Sequence, residues 1–230
     1  MIEGLLLIDK PAGISSFGVV AKVRGIVRAK TGIKKIKVGH TGTLDPAATG
    51  LLILAVGSYT KKVPLLMKQD KTYFVTMKLG QTSSTGDKEG EITAGNAYVP
   101  TQQEVHDVIT FFTGSMMQTP PVFSALKLNG RRAYDLARQG KEFTMQPRPV
   151  MVHSSELNSY TYPFVTFTTH VGSGTYIRSL VEDIGNKLGT GAYMSDLRRT
   201  KIGSYMLEEA VPLGELNTET IQSYLQIDLK

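Results

Sequence analysis

Gly39-His40-Thr41-Gly42-Thr43-Leu44-Asp45-Pro46-Ala47-Ala48-Thr49-Gly50 runs straight into Leu51-Leu52-Ile53-Leu54-Ala55-Val56. The second stretch is a short unbroken apolar run and reads as a buried strand. The first is a tight loop. Its glycines permit backbone angles that other residues avoid, and Pro46 biases Asp45 toward an extended conformation. A carboxylate fixed on a loop that is anchored to a core strand is a good place for chemistry. The same residues also make an ordinary turn, because Asp before Pro commonly starts one. The loop alone does not choose between the two.

Upstream, residues 4–8 read as a short buried strand, and Asp9-Lys10-Pro11-Ala12-Gly13 as a turn. Ser15 or Ser16 can cap a helix whose apolar face is Val19, Val20, Val23, Ile26 and Val27. Lys22, Arg24, Arg28 and Lys30 lie within it, and Lys34, Lys35 and Lys37 follow with no acidic residue between. This is a solvated basic loop or a phosphate-contacting surface. Downstream, a short linker runs through Lys61, Lys62 and Pro64, and 70–80 read as a strand. A polar loop spans 82–90, a helix 102–112, and a strand-like stretch 122–130. A short helix over 131–138, strands near 150–160 and 164–171, and a helix opened by 174–178 that runs through Leu180, Val181, Ile184 and Leu188 and stops at Gly189 come next. Residues 197–203 read as extended and 218–225 as a last short helix. Strands often neighbour one another and no βαβ rhythm persists, so the class is α+β with a mainly antiparallel sheet. No linker, repeat or low-complexity tract divides the chain, which reads as one domain over 1–230.

The totals narrow the function. The chain has 230 residues, 41% of them hydrophobic, enough for a real core. Its net charge of +6 makes an acidic partner plausible, nucleic acid above all, and ten Tyr with eight Phe remain for stacking on bases. No cysteine is present, which excludes disulfides, thiolate catalysis and thiolate metal sites. Four histidines (His40, His106, His153, His170) lack metal-ligand spacing, so no metal is expected. The N-terminus reads as lacking a secretory leader, and no apolar run approaches membrane-spanning length. The expectation is a cytoplasmic monomer with no membrane partner.

Three classes of chemistry present themselves. Arg178 at a helix start could hold Asp45 ionised through a paired geometry, or either residue could serve an ordinary salt bridge. The glycine pairs at 39/42 and 172/174 are too short for a nucleotide fingerprint. Ser124 lacks the setting of a nucleophilic serine. Tyr73, mid-strand, is a packing residue or a ring that stacks on a base.

Several blocks together are more specific than any one. The 39–50 loop resembles the catalytic motif of the TruB-type tRNA pseudouridine synthases. Leu7-Ile8-Asp9-Lys10-Pro11-Ala12-Gly13-Ile14-Ser15-Ser16 is similar to that family's N-terminal motif. Lys71-Thr72-Tyr73, the 82–90 loop with Asp87, Pro120-Pro121-Val122-Phe123-Ser124-Ala125-Leu126-Lys127, Gly174-Thr175-Tyr176-Ile177-Arg178 and Leu197-Arg198-Arg199-Thr200 follow in the family's order.

The resemblance implies a pseudouridine synthase fold, with a central, mainly antiparallel mixed sheet, flanking helices and an active-site cleft. It implies conversion of the T-loop uridine of tRNA, position 55, to pseudouridine after base flipping, with no metal or organic cofactor. Asp45 matches the family's essential aspartate, Arg178 the arginine that pairs with it, and Tyr73 the tyrosine that stacks on the target base. His40 matches a histidine that occupies space in the T-loop. Gly42, Thr43, Asp87, Lys127, Ile177, Leu197 and Arg199 fall at positions expected to touch substrate. Leu44, Ile177 and Leu197 are expected to keep water out, and Arg131, Arg132, Arg198 and Lys201 to meet phosphates.

Two departures stand out. Family members commonly continue into a small RNA-binding PUA module, which is expected to be absent here. His170-Val171-Gly172-Ser173 stands where the family often has a cysteine and a lysine. The alternatives to an isomerase are a tRNA-binding or tRNA-folding module whose catalysis is dispensable, and a carboxylate-dependent hydrolase.

Overall fold

The computed structural model describes residues 2–128 and 130–227. Contacts group the chain into two compact units, Met1–Tyr73 with Leu197–Lys230, and Phe74–Asp196. The chain leaves the first unit within the strand Lys71–Leu79 and returns within the strand Ala192–Ile202. The boundary therefore falls inside two strands, and no linker composition marks it.

In the first unit, the apolar run 51–56 is the greater part of a strand, Thr49–Val56, that is buried along most of its length. It pairs antiparallel with Gly4–Lys10, from Gly4↔Val56 to Lys10↔Gly50, and with Val38–His40. It also pairs parallel with the returning chain, at Arg198↔Thr49 and Arg199↔Gly50. Val211–Pro212 adds parallel to Gly4–Lys10 and Leu225–Gln226 adds antiparallel. The sheet is thus mixed, with antiparallel pairs predominating. Leu5, Leu7, Leu51, Ile53, Ala55, Leu66, Ile202 and Tyr205 form one buried cluster on it. The helix Ser16–Thr31 buries Val19, Val20, Val23 and Val27 of the face its periodicity predicts, and leaves Ile26 half-buried at its edge. It is capped by Ser15, whose side chain accepts from the Gly18 N–H, and stops at Gly32 in the left-handed conformation.

In the second unit, the long strand Arg148–Thr161 lies between Gly114–Gln118 and Phe164–Val171, antiparallel to both. Gln102–Phe111 packs against Arg148–Thr161 and against Ile177–Leu188. A reciprocal Thr101–Glu104 box opens the first of these helices, and Gly189 in the left-handed region closes the second. Among the described residues, no helix is long and apolar enough to cross a membrane.

Local signals mislead in three places. Residues 218–224 form turns, and the strand Leu225–Gln226 follows them, so no final helix exists. Pairing with Leu5 and Leu6 outweighs the weak helical pattern there. The expected linker through Lys61, Lys62 and Pro64 holds a 3-10 turn, Gly57–Lys62, and a short helix, Val63–Met67, started by Pro64. In the stretch 122–130 only Lys127–Leu128 is a strand, paired with Arg131–Arg132, and the short helix starts after that pair, at Ala133. Asn129 lies outside the described residues.

Gly50 ties this framework to the 39–50 loop. Its φ is +99°, and a Cβ there would lie 2.3 Å from the Arg199 carbonyl oxygen. Gly50→Ala is therefore expected to lower the urea-unfolding midpoint. The strained backbone alone costs roughly 1–3 kcal/mol. An unchanged midpoint would show that the Arg199 strand can retreat.

Candidate active site

In the first unit, the 39–50 loop is fastened from below by buried polar side chains. Arg199 is 1% exposed, and its guanidinium donates to the carbonyls of Leu51 at 2.8 Å, Gly42 at 3.1 Å and Thr43 at 3.4 Å. Ser16 brackets a single residue. Its hydroxyl accepts from the Leu44 N–H at 2.7 Å and donates to the Leu44 carbonyl at 2.8 Å. Lys10, fully enclosed, donates to the carbonyls of Pro11, Ile14 and Pro46 at 2.8, 2.8 and 3.2 Å. Gly13 N–H adds a second bond to Pro46, and Ala48 N–H donates to the Asp45 carbonyl. Asp45 thus sits half-buried between two residues, Leu44 and Pro46, that are each held by side chains from elsewhere.

The loop needs these partners because its backbone leaves the sheet. Carbonyls that face inward without a ladder partner must find donors. Lysine and arginine side chains supply several donors from one position. The cost appears in the lysines. Burial lowers Lys10 from its usual 10.5 to about 8, with the Asp45 carboxylate pulling it up and Arg199 pushing it down. Burial likewise lowers Lys71 to about 8, helped by Arg199 and opposed by Asp70. Gly42 lies between these cations. A Cβ on it would be 3.5 Å from Lys71 Cε and 3.6 Å from Arg199 Nη1.

The remaining expected residues of this unit take up distinct positions. Thr43 is exposed, His40 and Leu197 are partly exposed, and Tyr73 is 7% exposed in its strand. Leu197 also uses its carbonyl to accept from the Thr49 hydroxyl. Arg198 forms a two-pronged pair with Asp9, at 2.8 and 3.2 Å. Arg199 differs from its expected substrate contact, because its guanidinium is turned inward onto the loop carbonyls.

In the second unit, Arg178 is the centre. It is 7% exposed at the start of the Ile177–Leu188 helix. Nη1 donates to the Thr85 carbonyl at 3.0 Å and Nη2 to the Phe123 carbonyl at 2.8 Å. Asp87, 6% exposed, faces it at 3.6 Å. The Asp87 carboxylate is itself held by the Thr85 hydroxyl at 2.6 Å and the Glu89 N–H at 3.0 Å. Asp87 therefore braces the guanidinium, whereas the sequence placed it among substrate contacts. Glu182, one turn further along the helix, is pushed up by burial and by Asp183, with Arg178 opposing. Ile177 is buried beside Arg178. Lys127 is exposed and lines a groove of about 570 Å³ with Leu128, Arg131, Leu136, Lys141 and Phe143.

Sequence reasoning missed the holding residues Ser16 and Lys10 as parts of the site. Ser15 and Ser16 were equivalent as helix caps on local grounds. Only the fold shows that Ser15 caps the helix while Ser16 turns toward Leu44. The ladder also brings His153 and His170 together, ring centroids 4.7 Å apart, a proximity that spacing along the chain does not reveal.

The sequence profile described as the TruB family pseudouridylate synthase N-terminal domain matches residues 28–177. The profile described as the tRNA pseudouridylate synthase B C-terminal domain matches 178–227. The chain belongs to the TruB family of pseudouridylate synthases. It is similar to the tRNA pseudouridine synthase B of Clostridium acetobutylicum, 42% identical over 228 residues, 99% of this chain and 77% of that one. It is also similar to the tRNA pseudouridine synthase B of Geobacter sulfurreducens, 44% identical over 216 residues, 94% of this chain and 69% of that one. Among solved structures it matches one of a Cbf5-Nop10-Gar1 complex with a TM-score of 0.70 and 31% identity. That match covers 93% of this chain and 53% of the other, so the TruB chain spans about half the length of that neighbour. A pseudouridine synthase fold and membership of an isomerase family follow.

Two outcomes test the holding network. Ser16→Ala leaves the Leu44 N–H and carbonyl buried without their partner, and is expected to cost about 1–3 kcal/mol in urea unfolding. A loss below a few tenths would show that water replaces the hydroxyl. For the lysines, folded values near 8 lie below the usual 10.5. Between these limits the unfolded chain holds more protons, so stability rises with pH from about 8 upward, while below pH 8 the cost of burying both charges is fully present. Unfolding midpoints between pH 8 and 9.5 are expected to climb, and less steeply in Lys10→Met. A midpoint flat over that range would contradict the lowered values.

Proposed function

We propose that this TruB-family chain isomerises the T-loop uridine of tRNA, position 55, to pseudouridine, with Asp45 as the essential carboxylate. The observation that carries this reading is the immobilisation of Asp45. The residues on both sides of it are held by buried side chains, while its own side chain stays partly accessible. Rigid placement of one reacting group is what a reaction at a single sugar carbon needs.

The chemistry fits these residues. The uridine leaves its stack before its sugar can be reached. The C1′–N1 bond breaks, the uracil turns, and a C1′–C5 bond forms. The hydrogen on C5 is lost and N1 gains one, so atoms balance without a co-reactant. Asp45 assists by attacking C1′ or by taking a sugar proton. Tyr73 supplies an aromatic face for the base, and Arg178 the buried cation that carboxylate chemistry in a dry site calls for. Leu44, Ile177 and Leu197 exclude water, so the detached base recombines.

Both units carry basic surface for the T-arm backbone. Lys22, Arg28, Lys30, Lys34, Lys35 and Lys37 are exposed in one, and Lys127, Arg131, Arg132 and Lys141 in the other. Binding that depends on such contacts weakens steeply with salt.

A tRNA transcript labelled with tritium at uracil C5 tests the reading. Wild type is expected to release the label in EDTA, from position 55 alone. Asp45→Asn is expected to release at least roughly 1,000-fold less while still binding tRNA, as removal of an essential reacting group does. Release by Asp45→Asn at the wild-type rate would overturn the assignment, and free uracil in the supernatant would indicate a hydrolase.

A further inference from the structure

The helix that carries Arg178 has an unusual start. Its N-cap residue, Tyr176, makes no side-chain cap, and no acidic residue lies in the first turn. The first backbone amides of a helix have no partner within it and must be held from outside. Gln118, 1% exposed, does this in the second unit. Its Oε1 accepts from the Tyr176 N–H at 2.8 Å, and its Nε2 donates to the Tyr176 carbonyl at 3.1 Å.

A carboxamide carries a donor and an acceptor in one plane, so it can grip the N–H and the C=O of a single residue together. An ionised carboxylate cap, which has no donor, holds N–H groups only. The grip fixes both backbone torsions at Tyr176, two residues before Arg178. Gln118 is itself anchored, at the end of the strand Gly114–Gln118 and in register with Arg148. The segment after it continues the same junction. The Thr119 carbonyl accepts from the Ser179 hydroxyl at 2.9 Å, and the Phe123 carbonyl accepts from Arg178. One stretch of chain thus sets the helix start and supplies a carbonyl that aims the guanidinium.

We infer that Gln118 is a positioning residue for Arg178, acting through the backbone of Tyr176. The inference rests on the reading of Arg178 as a working group of the site.

The test is a double-mutant cycle in single-turnover tritium release. Gln118→Met keeps the length and apolar bulk of the side chain and removes both bonds. It is expected to slow release roughly 10- to 100-fold, the scale of an ångström-sized misplacement. Binding of tRNA is expected to stay within about 2-fold, since no substrate contact is lost. Gln118→Glu keeps the acceptor alone and is expected to fall in between; it carries the same cycle if the Met variant does not fold. In an Arg178→Lys background, either change is expected to slow release less than about 2-fold further, because the group that Gln118 aims is gone. Full additivity with Arg178→Lys, or a loss that tracks the thermal midpoint, would reduce Gln118 to a structural residue and overturn the inference. A slow Arg178→Lys with a fast Gln118→Met would overturn it too, and leave the reading of Arg178 standing. An Arg178→Lys as fast as wild type would remove that reading and this inference together.

Discussion

Arg199 carries a guanidinium into the interior of the first unit, where backbone carbonyls receive it. Its partners are the carbonyls of Gly42, Thr43 and Leu51. A charge is tolerated in the interior only when such partners replace water. Residues 41–48 of the loop lie outside the strands and need the donors. Each side of the arrangement would be costly alone, and together they fix a glycine-rich loop that would otherwise be mobile. Gly50 is the geometric condition for it, because only a residue without a Cβ lets the Arg199 backbone approach so closely. Lys10 and Ser16 extend the same solution to Pro46 and Leu44.

The second unit solves the matching problem for Arg178 by similar means. Two backbone carbonyls and the braced Asp87 carboxylate surround the guanidinium. The Thr85 hydroxyl and the Glu89 N–H hold that carboxylate in place, so both members of the pair are fixed. Charges oriented before substrate arrives need no reorganisation during the reaction, which is where such sites gain most of their electrostatic advantage. In both units the organising bonds run from buried side chains to backbone, so the loops are positioned by the fold and the charged groups by the loops.

The same burial separates the arginines by task. Arg199 and Arg178 are enclosed, while Lys127, Arg131 and Arg132 are exposed. Composition counts all of them alike toward the net charge of +6. Enclosed cations shape the backbone around them, and the exposed ones remain for a polyanion.

The sequence by itself determined the α+β class, the core strand after the 39–50 loop, the three principal helices and the family. Those follow from signals that are local: an apolar run, a 3.6-residue period, Gly189 as a helix stop, and motifs read in order. It also placed Asp45 on a loop and Arg178 at a helix start. Tertiary structure alone decided what holds them. Whether Ser15 or Ser16 faces the interior, whether Arg199 points at solvent or at Gly42, and that Gln118 grips Tyr176 all depend on residues dozens of positions apart. Sequence spacing carries no record of such contacts, because burial and pairing are set by which surfaces the folded chain brings together. The misread tail at 218–225 has the same cause, since a weak local helical preference gave way to pairing with Leu5 and Leu6 in the sheet.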